Sequence, residues 1–138
     1  GSFGARTAHS QNALRNRADL PHSYISEPSI RIELYRRLST CADCNAVDAI
    51  QHEMTDRFGR LPTAVHILIE VTKVRILAQR AHLIRVLHQD GKLMCSRPGP
   101  QNTESFIKSG SRFPRLTHGD PLLNLREIQK FLKRHARL

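Results

Sequence analysis

Near residue 83 the hydrophobic repeat of this chain changes, and no other feature limits its possible folds as much. Up to Ala81, apolar residues recur three and four apart, as on a helix with one buried face. Beyond it, Leu83-Ile-Arg-Val-Leu-His-Gln89 and Lys92-Leu-Met-Cys-Ser96 flank Asp90-Gly91. Asp-Gly between two such runs is the strongest short hairpin signal, because both turn residues need positive φ. A two-residue turn sets Val86 opposite Cys95 and His88 opposite Leu93, so that Ile84, Val86, His88, Leu93 and Cys95 share one face. Helices followed by strands and a closing helix make an α+β domain: N-terminal helical hairpins packed on a small antiparallel sheet, with a closing C-terminal helix.

Local signals divide the helical part. A first helix is expected to start near Ser26 or Ser29, with either serine as cap and Pro28 in the first turn. Its apolar stripe is Ile30, Leu34, Leu38 and Cys41. Asn45 and Asp48 suggest the start of a second helix, whose inner face is Val47, Ile50, Met54 and Phe58. Gly59 suits the residue just past its end, and Pro62 opens a third helix to about Ala81. Val65, Leu68, Ile69, Thr72, Ile76 and Leu77 are its expected inner residues. Arg97–Asn102 reads as a loop, while Ser105–Lys108 and Arg112–Thr117 are short strand candidates. Asp120-Pro121 is a helix start with Asp as cap. Residues 1–19 carry no periodicity and read as a flexible arm or linker end, with Gly1-Ser2 a cloning scar. One domain over 20–138 accounts for the rest, in keeping with a length of 138 residues.

Composition narrows the function classes. Hydrophobic residues at 39% and charged residues at 25% fit a soluble globular domain, and no apolar run approaches the ~18 residues of a membrane span. No secretory leader is visible and the three cysteines do not suggest a disulfide scaffold, so a reducing, cytoplasmic setting is expected. Lys and Arg outnumber Asp and Glu by 22 to 12, a net charge of +10, which favours nucleic acid or an acidic protein surface as partner. Aromatic content of 5% without Trp argues against a single-strand binder built on stacked bases.

Chemistry is sparsely signposted. There is no phosphate-cradling G-x-x-x-x-G-K-[ST], no G-x-S-x-G elbow and no H-E-x-x-H pair, so an enzyme is not expected. Cys41-Ala-Asp-Cys44 has the spacing of two zinc ligands, with Cys95 and His88 elsewhere, but lacks a second matching pair. The alternative is that Cys41 is a small apolar residue and His88 a partly buried histidine. Two charged clusters remain. Arg126, Lys130, Lys133, Arg134 and Arg137 fall within an arc of about 100° at ~100° per residue; this stripe is either a solvated face or a phosphate contact. Glu53, Asp56 and Arg57 stand at i, i+3 and i+4 on the second helix. They either pair among themselves or form a mixed-charge surface that sets the register of a partner.

The order Leu20-Pro-His-Ser-Tyr-Ile25, Arg31-Ile-Glu-Leu-Tyr-Arg-Arg-Leu38 and Glu53-Met-Thr-Asp-Arg-Phe-Gly-Arg-Leu-Pro62 resembles the C-terminal domain of bacterial transcription-repair coupling factors. The resemblance is carried by residues 20–80, most sharply by the D-R-F-G-x-L-P run. It implies a non-catalytic regulatory part of a larger DNA translocase. In that family the domain docks on an excinuclease-B-like module, masks the surface that binds excinuclease A and restrains the motor until RNA polymerase is engaged. ATP and magnesium then belong to the motor, and no cofactor or metal is expected in this domain. The family's E-x-x-D-R contact falls here on Glu53, Asp56 and Arg57. The alternative is a nucleic-acid-binding module acting through the basic C-terminal helix.

Overall fold

The computed structural model describes residues 18–135; Arg137 and nearly all of the expected arm over 1–19 lie outside them. Helices α1 (Pro28–Ser39), α2 (Cys44–Phe58) and α3 (Thr63–Arg80) come first. Strands β1 (Arg85–Gln89), β2 (Lys92–Pro98) and β3 (Glu104–Ile107) follow, and α4 (Pro121–His135) closes the unit. The sheet is antiparallel in the order β1-β2-β3, an α+β arrangement. Val86 pairs with Cys95 and His88 with Leu93, the register that the two-residue turn requires. Asp90 (φ 53°) and Gly91 (φ 72°) are both left-handed.

The organising element is α3, and it differs from expectation. It buries two sides. Val65, Ile69 and Ile76 join Leu34, Leu38, Val47, Ile50 and Met54 in a core shared with α1 and α2. Ile67, Val74, Leu77 and Ala78 join Val86, Leu93, Cys95, Leu125, Ile128 and Leu132 in a second core shared with the sheet and α4. At ~100° per residue these two sets lie on opposite sides of the helix. Leu68, expected inside, is only partly buried, whereas Ile67 and Val74 are fully so. A one-stripe pattern fails because a helix between two cores is apolar on both faces.

Helix starts are set by residues one or two positions from those expected. Glu27 precedes α1, with no side-chain cap, and neither Ser26 nor Ser29 fills that role. Asp43, rather than Asn45 or Asp48, caps α2 by accepting from Ala46 N–H at 2.8 Å. Because α1 stops at Ser39, Cys41 lies beyond its stripe and its thiol donates to Arg37 C=O at 3.3 Å. Asp120 caps α4 as expected, accepting from Leu122 N–H at 2.9 Å. Arg97 and Pro98 extend β2 instead of opening a loop, and β3 sits one residue earlier than expected. Arg112–Thr117 is no strand: it touches the sheet through one isolated bridge, Lys92 with Arg115, while the bridge between Ser109 and Arg112 closes the turn before it. Pro114 breaks the ladder there by lacking an N–H. Ala18 packs against the second core and Asp19 N–H donates to Ala64 C=O at 3.2 Å, so both belong to the folded unit.

Three arginines are used internally, bonding carbonyls at or beside helix ends. Arg75 donates to Leu38 C=O (3.0 Å) and Arg80 to Ala42 C=O (3.4 Å), tying α3 to the α1–α2 connection. Arg97 reaches Ala81 C=O (2.9 Å) and His135 C=O (2.7 Å), satisfying carbonyls where α3 and α4 end.

Candidate functional site

The C-terminal end of α2 is built from the residues that stop the helix. Gly59 takes φ 87° and ψ −164°, a region open essentially to glycine alone, so the chain leaves α2 abruptly. Tyr24 holds this end by donating its hydroxyl to Gly59 C=O at 2.8 Å, with Met54 C=O at 3.2 Å. Its ring meets Phe58 edge-on at 5.9 Å.

On this base stand the three expected residues. Glu53 is half-buried and accepts two bonds from Arg37 of α1, at 2.6 and 2.9 Å, as a bidentate pair. Arg57 adds a third at 3.2 Å, one helical turn on. The Arg37 hydrogen bonds, more than any other influence, pull the Glu53 carboxyl down from 4.5 to about 2. Arg57 also lies 4.8 Å over the Phe58 ring, so its charge is held in place while remaining exposed. Asp56 is exposed and has no ion pair or hydrogen bond among the described residues.

The three are therefore unequal. Glu53 is a staple between α1 and α2, whereas Asp56 and Arg57 present opposite charges outward from a fixed helix end. Sequence spacing found the Glu53–Arg57 pair but not Arg37. Its only local sign was a place outside the apolar stripe of α1, and a partner 16 residues away has no local marker.

The second cluster is less available than its charge suggests. Arg126 lies 4.0 Å from Glu70, and Lys130 lies 3.5 Å from Glu127. Glu70 is in turn bonded by Gln129 at 2.6 Å, a link between α3 and α4. Lys133 and Arg134 are exposed, without ion pairs among the described residues. Among those residues no three metal-ligating side chains converge, and no helix is long and apolar enough to cross a membrane. Burial raises the Cys41 and Cys44 thiols, so neither is an activated thiolate in this structure. His88 sits half-buried on the hairpin.

Known proteins match this chain over most of its length. The TRCF domain model covers residues 14–106. A transcription-repair-coupling factor of Rickettsia prowazekii is 27% identical over 117 residues, 84% of this chain and 10% of that protein. One of Haemophilus influenzae is 30% identical over 97 residues, 69% of this chain and 8% of that protein. The chain thus spans about a tenth of the length of these curated relatives. In three dimensions it is similar to the crystal structure of the C-terminal domain of a transcription-repair coupling factor. The TM-score there is 0.58 at 19% identity, over 86% of this chain and 89% of the other.

Proposed function

The chain belongs to the TRCF domain family of transcription-repair coupling factors, and from that premise we propose that it is a non-catalytic docking unit of a DNA-repair translocase. In this reading it binds the excinuclease-B-like module of its parent, covers the surface used by excinuclease A, and releases when RNA polymerase is engaged. The carrying observation is the end of α2, where exposed Asp56 and Arg57 sit on a base locked by Arg37–Glu53 and Tyr24–Gly59. Fixed charges of both signs select a complementary surface and its register. Such a polar contact also releases more easily than one with a large apolar core. Restraint of a motor requires only a few kcal/mol of preference for the docked state.

The test is binding of the isolated B-like module to the chain carrying Asp56→Lys with Arg57→Gln, leaving Glu53 intact. The expected result is affinity at least about tenfold weaker, or ~1.4 kcal/mol, with thermal stability nearly unchanged. Unaltered affinity removes this assignment.

A further inference from the structure

With so many arginines engaged at helix ends and in ion pairs, a group of cations left without an acidic or carbonyl partner among the described residues gathers at one edge of the sheet. Lys92, Lys108, Arg112 and Arg115 are all exposed there. The backbone explains why they meet. After pairing β3 with Cys95–Pro98 of β2, the chain departs at Lys108 and turns where Ser109 N–H donates to Arg112 C=O at 2.8 Å. Gly110 takes φ 67° in that turn. The chain then returns to the same edge of β2. Leu93 N–H donates to Pro114 C=O (2.8 Å) and Leu116 N–H to Gly91 C=O (2.7 Å), bringing Arg115 beside Lys92.

Residues 108–113 are thus a short finger clamped to β2 at both ends. Aromatic contacts stiffen its base: Phe106 and Phe113 meet edge-to-face at 5.8 Å, and the Lys108 ammonium lies 4.9 Å over the Phe113 ring. No acidic residue occurs from Ser105 to Thr117. The nearest acid before this stretch, Glu104, is neutralised by Arg85 and also bonded by the Ser96 hydroxyl at 3.0 Å.

We propose that this sheet-edge finger contacts the phosphate backbone of duplex DNA. Phosphate contacts need charge and reach rather than a shaped pocket, and a stiff acid-free finger with exposed cations supplies both. Single strands call for stacking faces, but Lys108 occupies Phe113, leaving Phe106, 37% exposed, as the available ring. A protein partner held by charge is read through both signs in register, and from Ser105 to Thr117 this segment carries cations alone. The site is separate from the end of α2 and does not depend on the docking reading.

The test is fluorescence anisotropy of the 138-residue chain with a labelled mixed-sequence DNA duplex, between about 50 and 200 mM salt. The variant Lys108→Gln/Arg112→Gln/Arg115→Gln is expected to reduce the slope of log affinity against log salt by roughly two to three, and low-salt affinity by at least about tenfold. Because Lys108 packs on Phe113, Arg112→Gln/Arg115→Gln is measured alongside and should lower the slope by roughly two. Lys133→Gln/Arg134→Gln on α4 should bind as the unaltered chain does. The proposal is overturned by absent duplex binding at the lowest salt, by finger variants that bind normally, or by a loss that follows the α4 variant instead. Tighter binding of single-stranded DNA that Phe106→Ala abolishes overturns it in favour of stacking. Equal competition by polyglutamate overturns it in favour of an acidic protein.

Discussion

Glu53→Gln separates the structural from the docking role of the α2 end. The substitution keeps shape and size but removes the charge held by Arg37 and Arg57. Ion pairs of this exposure contribute about 0.2–1 kcal/mol, and bidentate geometry puts this one near the top of that range. Converting the drop of the Glu53 carboxyl from 4.5 to about 2 directly into energy would give more. With 35% of the side chain exposed, solvent screening reduces it, and the expected loss is about 1 kcal/mol at neutral pH. For a urea slope near 2 kcal/mol/M, the unfolding midpoint should fall by about half a molar. The pH dependence has a fixed sign. A carboxyl depressed in the folded state stabilises fully above its ordinary value of 4.5, and that stabilisation drains away as pH falls towards about 2. The gap between the unaltered chain and Glu53→Gln should therefore narrow across that window. Urea unfolding of both proteins, with Arg37→Met completing a double-mutant cycle, should give a coupling of about 1 kcal/mol. A coupling below about 0.3 kcal/mol, the scatter of independent sites, would refute the staple, as would a gap that does not change with pH. Charge reversal at Glu53 is for the same reason a poor docking probe, since it sets a cation against Arg37.

Two further outcomes test the local chemistry. Gly59→Ala should cost about 1–3 kcal/mol in urea unfolding through backbone strain alone, because a β-carbon there meets nothing within 4 Å; a cost near zero would mean that the helix end is not held as described. In thiol labelling at pH 8, Cys41 and Cys44, each partly exposed, should react in the folded chain, though slowed by their raised ionisation. Cys95, buried and pushed up to about 12, should react only on unfolding, and three thiols reacting alike would contradict the second core.

What could be read from the sequence was local, and what could not was the meeting of distant segments. Asp90-Gly91 fixed the hairpin register because a two-residue turn leaves no freedom. Gly59 and Pro62 marked the break between α2 and α3, and Asp120-Pro121 the start of α4, because each acts through its own backbone. The start of α2 shows the limit of such rules: Asn45 and Asp48, the expected signals, both lie inside the helix, and the cap is Asp43. The two-sided burial of α3 was hidden for a different reason. Glu70, Lys73 and Arg75 interrupt its apolar sequence and suggest a solvent face. In the fold they serve α4, α2 and α1: Glu70 holds Gln129, Lys73 pairs with Asp48 at 2.6 Å, and Arg75 reaches Leu38. Charge was thus the least legible quantity of all. The same +10 includes Arg37, Arg75 and Arg97, which are bonded to acceptors on other elements, and Lys108 and Arg112, which are not. Composition gives the sum, while only the fold decides which charges remain for a partner. The C-terminal stripe loses part of its promise to Glu70 and Glu127, and the unmarked segment after β3 keeps all of its own.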